Sequence, residues 1–255
     1  MIAADLAMAL DAVAFARNGL GFEPDTWQAD VLRWPGRRLL MNCSRQSGKS
    51  TTAAILALHE ALYAAASLVL LVSPSLRQSS ELFRKVTDLL GRLDIRPKLL
   101  EDNKLSLVLE SGGRVVSLPS SEATIRGFSG VTLLIEDESA RVSDDLYRAT
   151  RPMLAVSDGR HILMSTPFGR RGHFFQEWEH GGLGWQRVRV TAEACPRISP
   201  AFLLEEQRGM GDWWYRQEFG CEFMDAQDSV FKYDDILAAL TPEVRPLFPF
   251  PGGSP

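Results

Sequence analysis

The sequence predicts an α/β fold, a mainly parallel and doubly wound sheet flanked by helices. Residues 68–72 and 133–135 are short, continuous apolar runs, as expected of strands that are buried on both faces of a parallel sheet. Such runs alternate along the chain with longer segments of helical character. This alternation indicates βαβ units, whose crossovers are right-handed.

Length and composition limit the class of protein. A chain of 255 residues can bury a complete α/β core and still supply a small subdomain. The formal net charge of −4 argues against a wholly basic nucleic-acid binder, although it leaves room for one basic face. Cys43, Cys195 and Cys221 have no metal-ligand spacing, and no apolar stretch reaches the roughly 18 residues of a membrane span. We therefore expect a soluble intracellular protein without a membrane segment.

The first half of the chain is expected to form helices and strands in alternation. Residues 2–17 have helical character, and Asp25 or Thr26 can cap a second helix that carries Trp27 and Gln28. The elements predicted after it are a strand at 38–43, a helix from 49 to about 66, the strand at 68–72 and a helix at 77–93.

The second half continues the alternation after a hairpin. Segments 104–109 and 114–118 flank Ser111-Gly112-Gly113, and this spacing predicts a β-hairpin. The elements predicted next are a strand at 132–136, a helix near 144–150, a strand at 161–165 and a helix at 172–179.

The pattern changes at Trp185. A short strand at 185–190, a Cys-Pro turn and helical segments at 200–210 and 212–219 predict a small, lid-like subdomain. We therefore expect a core at 1–184, a lid subdomain with a linker at 185–235, and a tail at 236–255. The tail ends in Pro- and Gly-rich sequence and is expected to be disordered there.

The most informative stretch joins the strand at 38–43 to the helix that follows. It consists of Cys43, Ser44, Arg45, Gln46, Ser47, Gly48, Lys49, Ser50 and Thr51. An apolar strand, a loop ending in Gly-Lys-Ser and a helix form a P-loop, in which backbone N–H groups and the positive helix end bind nucleotide phosphates. Lys49 would reach the β- and γ-phosphates, and the Ser50 hydroxyl would ligate Mg²⁺. Because Cys43 replaces the first glycine of the usual pattern, the motif needs support.

A second motif supplies that support. The strand at 132–136 ends in Glu136-Asp137-Glu138, the Walker B arrangement, at the sheet edge where α/β folds bind ligands. Asp137 would hold the hydration shell of Mg²⁺, and Glu138 would orient and deprotonate the attacking water. The pair Glu136-Asp137 is an alternative assignment, but Glu138 lies further out toward the phosphates. The two motifs together predict a P-loop NTPase of the RecA-like (ASCE) class.

With both motifs in place, the chain resembles the large terminase subunit of tailed bacteriophages, the ATPase motor that packages DNA into proheads. The resemblance extends from Trp27-Gln28 to about Asp235. The family's P-loop carries Arg-Gln before x-Gly-Lys-Ser, as Arg45-Gln46 does here. The missing first glycine is therefore normal for the family.

The resemblance implies roles for further residues. Gln28 would pair with the adenine edge, whereas Trp27 can equally be a core residue. Ser165, Thr166 and Pro167 match the coupling motif that senses the γ-phosphate. Other matching segments are Ser73-Pro74-Ser75 with Gln78 after the second strand, and residues 217–223 at the end of the lid.

Hydrolysis also needs a cation for the charge that builds on the γ-phosphate. Arg45 lies inside the P-loop and could act within its own subunit. Arg126 precedes the Walker B motif on a loop with Gly127 and Gly130, where the family has an arginine that acts across a subunit boundary. Alternatively, Arg126 has a purely structural role, in which it caps a strand or binds a surface carboxylate.

The resemblance implies ATP and Mg²⁺ as cofactors and double-stranded DNA as the polymer that is moved. It also implies a homo-oligomeric ring (a pentamer in the family), a portal protein and a small terminase subunit as partners, and action in the host cytoplasm at the portal vertex of the prohead. Full members continue into an RNase H-like nuclease, whereas this sequence stops at Pro255. Asp225, Asp228, Asp234 and Asp235 are too clustered to replace that domain, so we expect no DNA cleavage.

Candidate DNA contacts are basic residues, since a motor holds phosphates without reading bases. The first set is Arg84, Lys85, Arg92, Arg96, Lys98, Lys104 and Arg114, and the second is Arg160, Arg170 and Arg171. Most of these charges are expected to be ordinary solvated surface. The histidines form no ligand-spaced cluster and are assigned no catalytic role: His59, His161, His173 and His180.

Two alternatives to a translocating ATPase stay open on the sequence. One is a nucleotide-gated assembly module that turns over slowly until it docks on a portal. The other is a helicase-like DNA repair ATPase, for which a second motor-like domain would be expected. The intact Lys49, Asp137 and Glu138 favour an active ATPase that drives DNA into a prohead.

Overall fold

A computed structural model describes residues 2–119, 127–225 and 233–239. The strands in these ranges are β1 (Arg38–Cys43), β2 (Leu68–Ser73), β3 (Leu99–Asp102), β4 (Ser106–Leu109), β5 (Arg114–Pro119), β6 (Leu133–Asp137), β7 (Arg160–Ser165) and β8 (Gln186–Val190). The helices are α1 (Ile2–Leu10), α2 (Ala12–Ala14), α3 (Thr26–Arg33), α4 (Lys49–Tyr63), α5 (Leu76–Leu90), α6 (Asp144–Thr150), α7 (Gly172–His180), α8 (Pro200–Met210), α9 (Asp212–Glu218) and α10 (Tyr233–Ala239). None of these helices has the length and apolar character needed to cross a lipid bilayer.

Within the described ranges the strands form one eight-stranded sheet in the order β3-β4-β5-β2-β6-β7-β1-β8. From β5 to β8 every neighbouring pair is parallel, whereas β4 runs antiparallel to both β3 and β5. The predicted α/β class and the β4–β5 hairpin are therefore confirmed. Strand β3 was not predicted, because Leu99-Leu100-Glu101-Asp102 lacks the alternation that marks a half-buried strand.

The two faces of the sheet bury separate apolar cores, as a doubly wound fold requires. In β1, Leu39 and Met41 belong to the larger core, which is formed with helices α4 and α5. Leu40 belongs to the opposite core, with Phe174 of α7. Each fully buried leucine of this kind contributes about 1.5–3 kcal/mol to folding. Burial on both faces explains the continuously apolar strands of the sequence.

The predicted helix at 2–17 is interrupted. Helix α1 ends at Leu10 because Asp11 is extended, with φ −136° and ψ 109°. Its carboxylate instead accepts a hydrogen bond from the Val13 backbone N–H at 2.9 Å and so caps α2. The chain then continues as a π-helical segment, Phe15–Gly19. By contrast, the predicted cap at Asp25 is confirmed, since Asp25 and Gln28 form a capping box at the start of α3.

The prediction that the lid begins at residue 185 was wrong. Strand β8 pairs in parallel with β1, from Leu39↔Gln186 to Cys43↔Val190, and so belongs to the main sheet. Only the helices after it stand apart: α8 and α9 share a small core that includes Ala192, Leu203 and Phe219. The expected disordered end of the tail lies outside the described residues.

The carboxyl ends of the parallel strands meet at one edge of the sheet. Strand β1 ends at Cys43, β6 at Asp137 and β7 at Ser165, and these three strands are neighbours. The P-loop, the Walker B acids and the coupling motif are therefore placed side by side by topology alone.

Candidate active site

The P-loop leaves β1 after Cys43 and enters α4 at Lys49. The Ser44 backbone N–H donates to the Val190 carbonyl at 2.9 Å, which fixes the start of the loop to β8. Gly48 has φ +98°, and a Cβ at this position would lie 2.7 Å from Gln28 Nε2. The positive φ therefore favours glycine at position 48, and the missing Cβ leaves room for the Gln28 amide beside the loop.

Two buried polar atoms beside the loop have no hydrogen-bond partner among the described residues. They are Ser47 Oγ and Gln28 Nε2. The other amide atom of Gln28, Oε1, accepts from the Asp25 backbone N–H at 2.9 Å, so Nε2 is the end of the amide that faces the loop. A buried donor without a partner costs about 1–3 kcal/mol, which a bound ligand would recover. Trp27 packs against the larger core, in agreement with its alternative role as a core residue.

Lys49 and the Walker B acids form the centre of the site. Lys49 Nζ lies 3.1 Å from Glu138 Oε1, and Lys49 is only 8% exposed. Burial lowers the pKa of Lys49, but the carboxylates of Glu138 and Asp137 outweigh it, so the pKa is raised and the ammonium is kept. Burial, reinforced by Glu138, raises the pKa of Asp137 to about 6. The centre of the site therefore pairs the Lys49 ammonium with two closely spaced acids.

Glu138 adopts an unusual backbone conformation at the end of β6. Its φ of 50° and ψ of 42° lie in the left-handed region, which costs a residue with a side chain about 1–2 kcal/mol. The Ser165 hydroxyl lies 3.5 Å from Glu138 Oε2, so the coupling motif is in contact with the Walker B acid. Glu138 and Thr166 line a cavity of about 410 Å³ together with Arg45, Gln78 and Arg141.

Glu136 faces away from this cavity. It is fully buried, and its Oε1 accepts hydrogen bonds from Ser139 Oγ at 2.6 Å and His173 Nε2 at 2.5 Å. The acid opposite Lys49 is Glu138. The structure therefore favours Asp137-Glu138 over Glu136-Asp137 as the Walker B pair.

Of the two candidate arginines, the structure describes Arg45 but not Arg126. Arg45 is exposed and forms an ion pair with the carboxylate of Glu218 in α9, while its backbone N–H donates to the Glu218 carbonyl at 3.3 Å. It is therefore held toward the helices after β8, at the rim of the cavity. Arg126 lies outside the described residues, and its role stays a prediction.

Two functional candidates were not found from the sequence. Arg197 donates to the Ser47 carbonyl at 2.8 Å and to Asp25 Oδ1 at 2.8 Å, so it joins the P-loop to the start of α3. Arg141 lines the cavity with Glu138, and its guanidinium stacks on Phe168, 3.9 Å from the ring centroid. Arg197 is brought to the site by contacts distant in sequence, whereas Arg141 follows Glu138 by three residues but belongs to none of the motifs recognised in the sequence.

The donor set fits a nucleotide with Mg²⁺. A carboxylate at Asp137 and a hydroxyl at Ser50, in the first turn of α4, offer the hard oxygen ligands that Mg²⁺ prefers. The helix N-terminus and the ammonium of Lys49 suit phosphate, and the unpartnered Gln28 amide suits a base edge. Gln46 has a left-handed backbone conformation, with φ 60°, and the loop makes a tight turn through Ser47 and Gly48 just before α4 begins.

The candidate DNA-contact residues do not all lie together. Arg160 starts β7 at the opposite edge of the sheet from Arg170 and Arg171, so the second set is not one surface. Arg160 is also largely buried, and burial lowers its pKa. In the first set, Arg84 is paired with Glu81 and Lys98 with Glu110. The assignment of DNA contacts therefore stays a prediction.

Comparisons with known proteins identify similar families and chains. The family model "Terminase large subunit, T4likevirus-type, N-terminal" matches residues 40–238. The terminase large subunits of Thermus phage G20c and Thermus virus P23-45 are each 27% identical over 262 residues, which cover 89% of this chain and 54% of theirs. The chain thus spans about half the length of these relatives.

Solved structures share the fold. The ATPase domain of the large terminase of Thermus phage P74-26 superimposes with a TM-score of 0.72 at 21% identity, over 82% of this chain and 97% of that one. The large terminase of a thermophilic bacteriophage in complex with ADP gives a TM-score of 0.64 at 13% identity, over 78% of this chain and 53% of that one. At these identities the likeness shows the fold alone.

Proposed function

We propose that this chain, which belongs to the T4-like terminase large-subunit family, is the part of a phage DNA-packaging motor that binds and hydrolyses ATP. The observation that carries the proposal is the pairing of Lys49 with Glu138, 3.1 Å apart and next to Asp137 at the carboxyl edge of the sheet. This is the geometry expected when one residue contacts phosphate and the other contacts the water that attacks it.

The chain's own residues account for binding. The loop amides and Lys49 hold the β- and γ-phosphates at the start of α4, and Gln28 Nε2 donates to the base. Ser50 and Asp137 would hold Mg²⁺, which neutralises charge on the phosphates when bound. A large terminase with the same fold forms a complex with ADP, which supports nucleotide binding by this chain.

Glu138 performs the proton step. Its carboxylate orients a water in the cavity and accepts its proton as the oxygen attacks the γ-phosphorus, with ADP leaving. Ser165 contacts Glu138 and therefore senses the loss of the γ-phosphate. Thr166 and Pro167 follow Ser165 in the chain and lead to α7. Arg45 in the same subunit or Arg126 from a neighbour supplies the remaining positive charge.

The wider activity is proposed by analogy with the family. We propose that ATP hydrolysis drives double-stranded DNA through a ring of these chains, pentameric by family resemblance. Such a ring docks on a portal protein with a small terminase subunit, in the host cytoplasm at the prohead vertex. The relatives' names, terminase large subunits, support this assignment.

The test is ATP turnover per chain as a function of protein concentration, with Lys49→Ala as the blank. Turnover that rises steeply with concentration would support a site completed between subunits and direct attention to Arg126. Flat, measurable turnover would mean that one chain holds a complete site and would favour Arg45. No turnover above the blank, even with double-stranded DNA and portal protein added, would contradict the proposal.

A further inference from the structure

A buried polar network lies directly behind the Walker B acids. It consists of Glu136 at the penultimate position of β6, Ser139 just after Glu138, and His173 in the first turn of α7; we call it the Glu136 network. Ser139 Oγ lies 2.6 Å from Glu136 Oε1 and 2.9 Å from His173 Nε2, and His173 Nε2 lies 2.5 Å from Glu136 Oε1. All three residues are at most 5% exposed.

The second ring nitrogen of His173 is also occupied. Asp144 Oδ1, at the start of α6, lies 3.3 Å from His173 Nδ1 and accepts from the His173 backbone N–H at 2.7 Å. Burial lowers the pKa of His173, but the contacts with Glu136 and Asp144 outweigh it, and the pKa is raised. The ring stacks on Tyr147, 4.3 Å between centroids. His173 is therefore fixed in place from three sides.

Such a network lowers the stability of the fold relative to an apolar core, so its presence calls for a functional explanation. A buried carboxylate and imidazole lose their hydration, and apolar residues of similar volume often stabilise a core more. One oxygen of Glu136, Oε2, is even buried without a hydrogen-bond partner in the part of the chain that the structure describes. Packing alone does not explain why an acidic residue is buried at the penultimate position of β6.

The role of the network is suggested by Glu138, which lies between Glu136 and Ser139 in the sequence. Glu138 lies between Asp137 and Ser139 and has the left-handed backbone conformation, φ 50° and ψ 42°. The turn continues through a hydrogen bond from the Arg141 N–H to the Glu138 carbonyl at 2.8 Å. Because Ser139 is tied to Glu136 and His173, the backbone on the far side of Glu138 cannot relax to an ordinary conformation without breaking these buried contacts.

We propose that Glu136, Ser139 and His173 are positioning residues for hydrolysis, which hold the backbone of Glu138 so that its carboxylate faces Lys49 and the attacking water. The proposal rests on the ATPase function proposed above. Since His173 begins α7, a few residues after the coupling motif, the same contacts join the catalytic turn to the helix that follows that motif. A displacement of about 1 Å in a catalytic group can cost up to about 100-fold in rate.

The experiment compares matched substitutions in the whole chain. Ser139→Ala and His173→Gln alter the network, while Ser67→Ala and His161→Gln are the controls. Ser67 is a fully buried serine that donates to the Glu60 carbonyl at 3.1 Å. His161 is a buried histidine that stacks on Tyr147, and its Nε2 has no hydrogen-bond partner among the described residues. The readouts are kcat, KM for ATP, the melting temperature, and hydrogen exchange of the peptide that contains residues 136–141.

We expect Ser139→Ala to lower kcat by about tenfold or more with KM within twofold of the parent, and to speed exchange in 136–141. The controls should keep kcat within twofold at a similar loss of thermal stability. If Ser139→Ala and His173→Gln keep the parent's kcat and exchange, the proposal is wrong although the ATPase function stands. If the parent has no turnover even with double-stranded DNA and portal protein added, the proposed function is wrong. Hydrogen exchange still tests the network in that case, because unchanged exchange in the variants would overturn its role.

Discussion

Lys49 Nζ and Glu138 Oε1 lie 3.1 Å apart in a site where Lys49 is almost completely buried. The cation expected to contact phosphate and the carboxylate expected to activate water are therefore coupled directly. A change of charge at either residue alters the environment of the other, and in a buried site such coupling is little screened by solvent. Mutations of the two residues should consequently not be independent.

Glu138→Gln keeps the shape of the side chain but removes the base. We expect ATP turnover to fall by about 100- to 10,000-fold, the usual contribution of a positioned general base, while ATP binding is kept or tightened because Lys49 loses its competing carboxylate. Single-turnover kinetics and nucleotide binding by calorimetry would separate the two effects. Glu110→Gln, which removes an exposed ion pair with Lys98, is the control. Turnover close to the parent's would exclude Glu138 as the base.

Gln28→Ala should weaken recognition of the base. Gln28 Nε2 is buried beside Gly48 without a described partner, so its loss should lower kcat/KM for ATP and reduce the preference for ATP over GTP by about tenfold. The variant also loses the capping box of α3, at a cost of about 1 kcal/mol in stability. Ser199→Ala, which removes the cap of α8, controls for that cost. An unchanged nucleotide preference would contradict the assignment.

Glu218→Gln should release Arg45 from its ion pair. Because Arg45 lines the cavity that contains Glu138, we expect the freed guanidinium to raise turnover in dilute protein. The increase should disappear in the double variant with Arg45→Ala, and a double-mutant cycle should give a coupling energy of about 0.5–3 kcal/mol. Glu222→Gln releases Arg216 instead and should have no effect. Additive single effects would show that the Arg45–Glu218 pair does not govern the site.

Stability should depend on pH through His161. Burial, aided by the charges of Arg151 and His173, lowers the pKa of His161 from 6.5 to about 3. Between pH 6.5 and about 3 the unfolded chain therefore binds one more proton than the folded chain does. The stability that neutral His161 contributes is complete above about pH 6.5 and is lost as the pH falls toward 3.

Urea unfolding at several pH values would measure this effect. Between pH 6 and 4 we expect the free energy of unfolding of the parent to fall by up to about 1.4 kcal/mol per pH unit more steeply than that of His161→Gln. His180→Gln changes an exposed histidine and should follow the parent. Parallel curves for all three proteins would show that His161 is not the group responsible.

The elements that carry the motifs were predictable because their signals are local. Strand β1, the P-loop and the start of α4 agree with the structure, since a buried apolar run must precede a Gly-Lys-Ser turn. Helix ends were less accurate: α4 ends at Tyr63 rather than near residue 66 and α5 at Leu90 rather than 93. Fraying and weak terminal preferences make such ends hard to place.

Contacts between distant segments could not be predicted. The sequence gives no sign that β8 pairs with β1, because the partner of an edge strand is decided by the whole sheet. The same holds for Glu136 and His173, which are 37 residues apart, and for Arg197, which is 150 residues from Ser47. The spacing of the histidines gives no indication of a role for His173, because its partners are the buried carboxylate of Glu136 and the exposed carboxylate of Asp144 rather than other metal ligands.

Strand β1 lies inside the sheet, with β7 on one side and β8 on the other. Displacing the P-loop along this strand would strain hydrogen bonds on both sides at once, so the loop is mechanically stiff. Helices α8 and α9 lie outside the sheet; they share a small core, and α9 contacts the P-loop through the Arg45–Glu218 ion pair. If hydrolysis moves part of the chain, we therefore expect these helices to move against a stationary sheet, with the sheet as the fixed frame and α8–α9 as the lever.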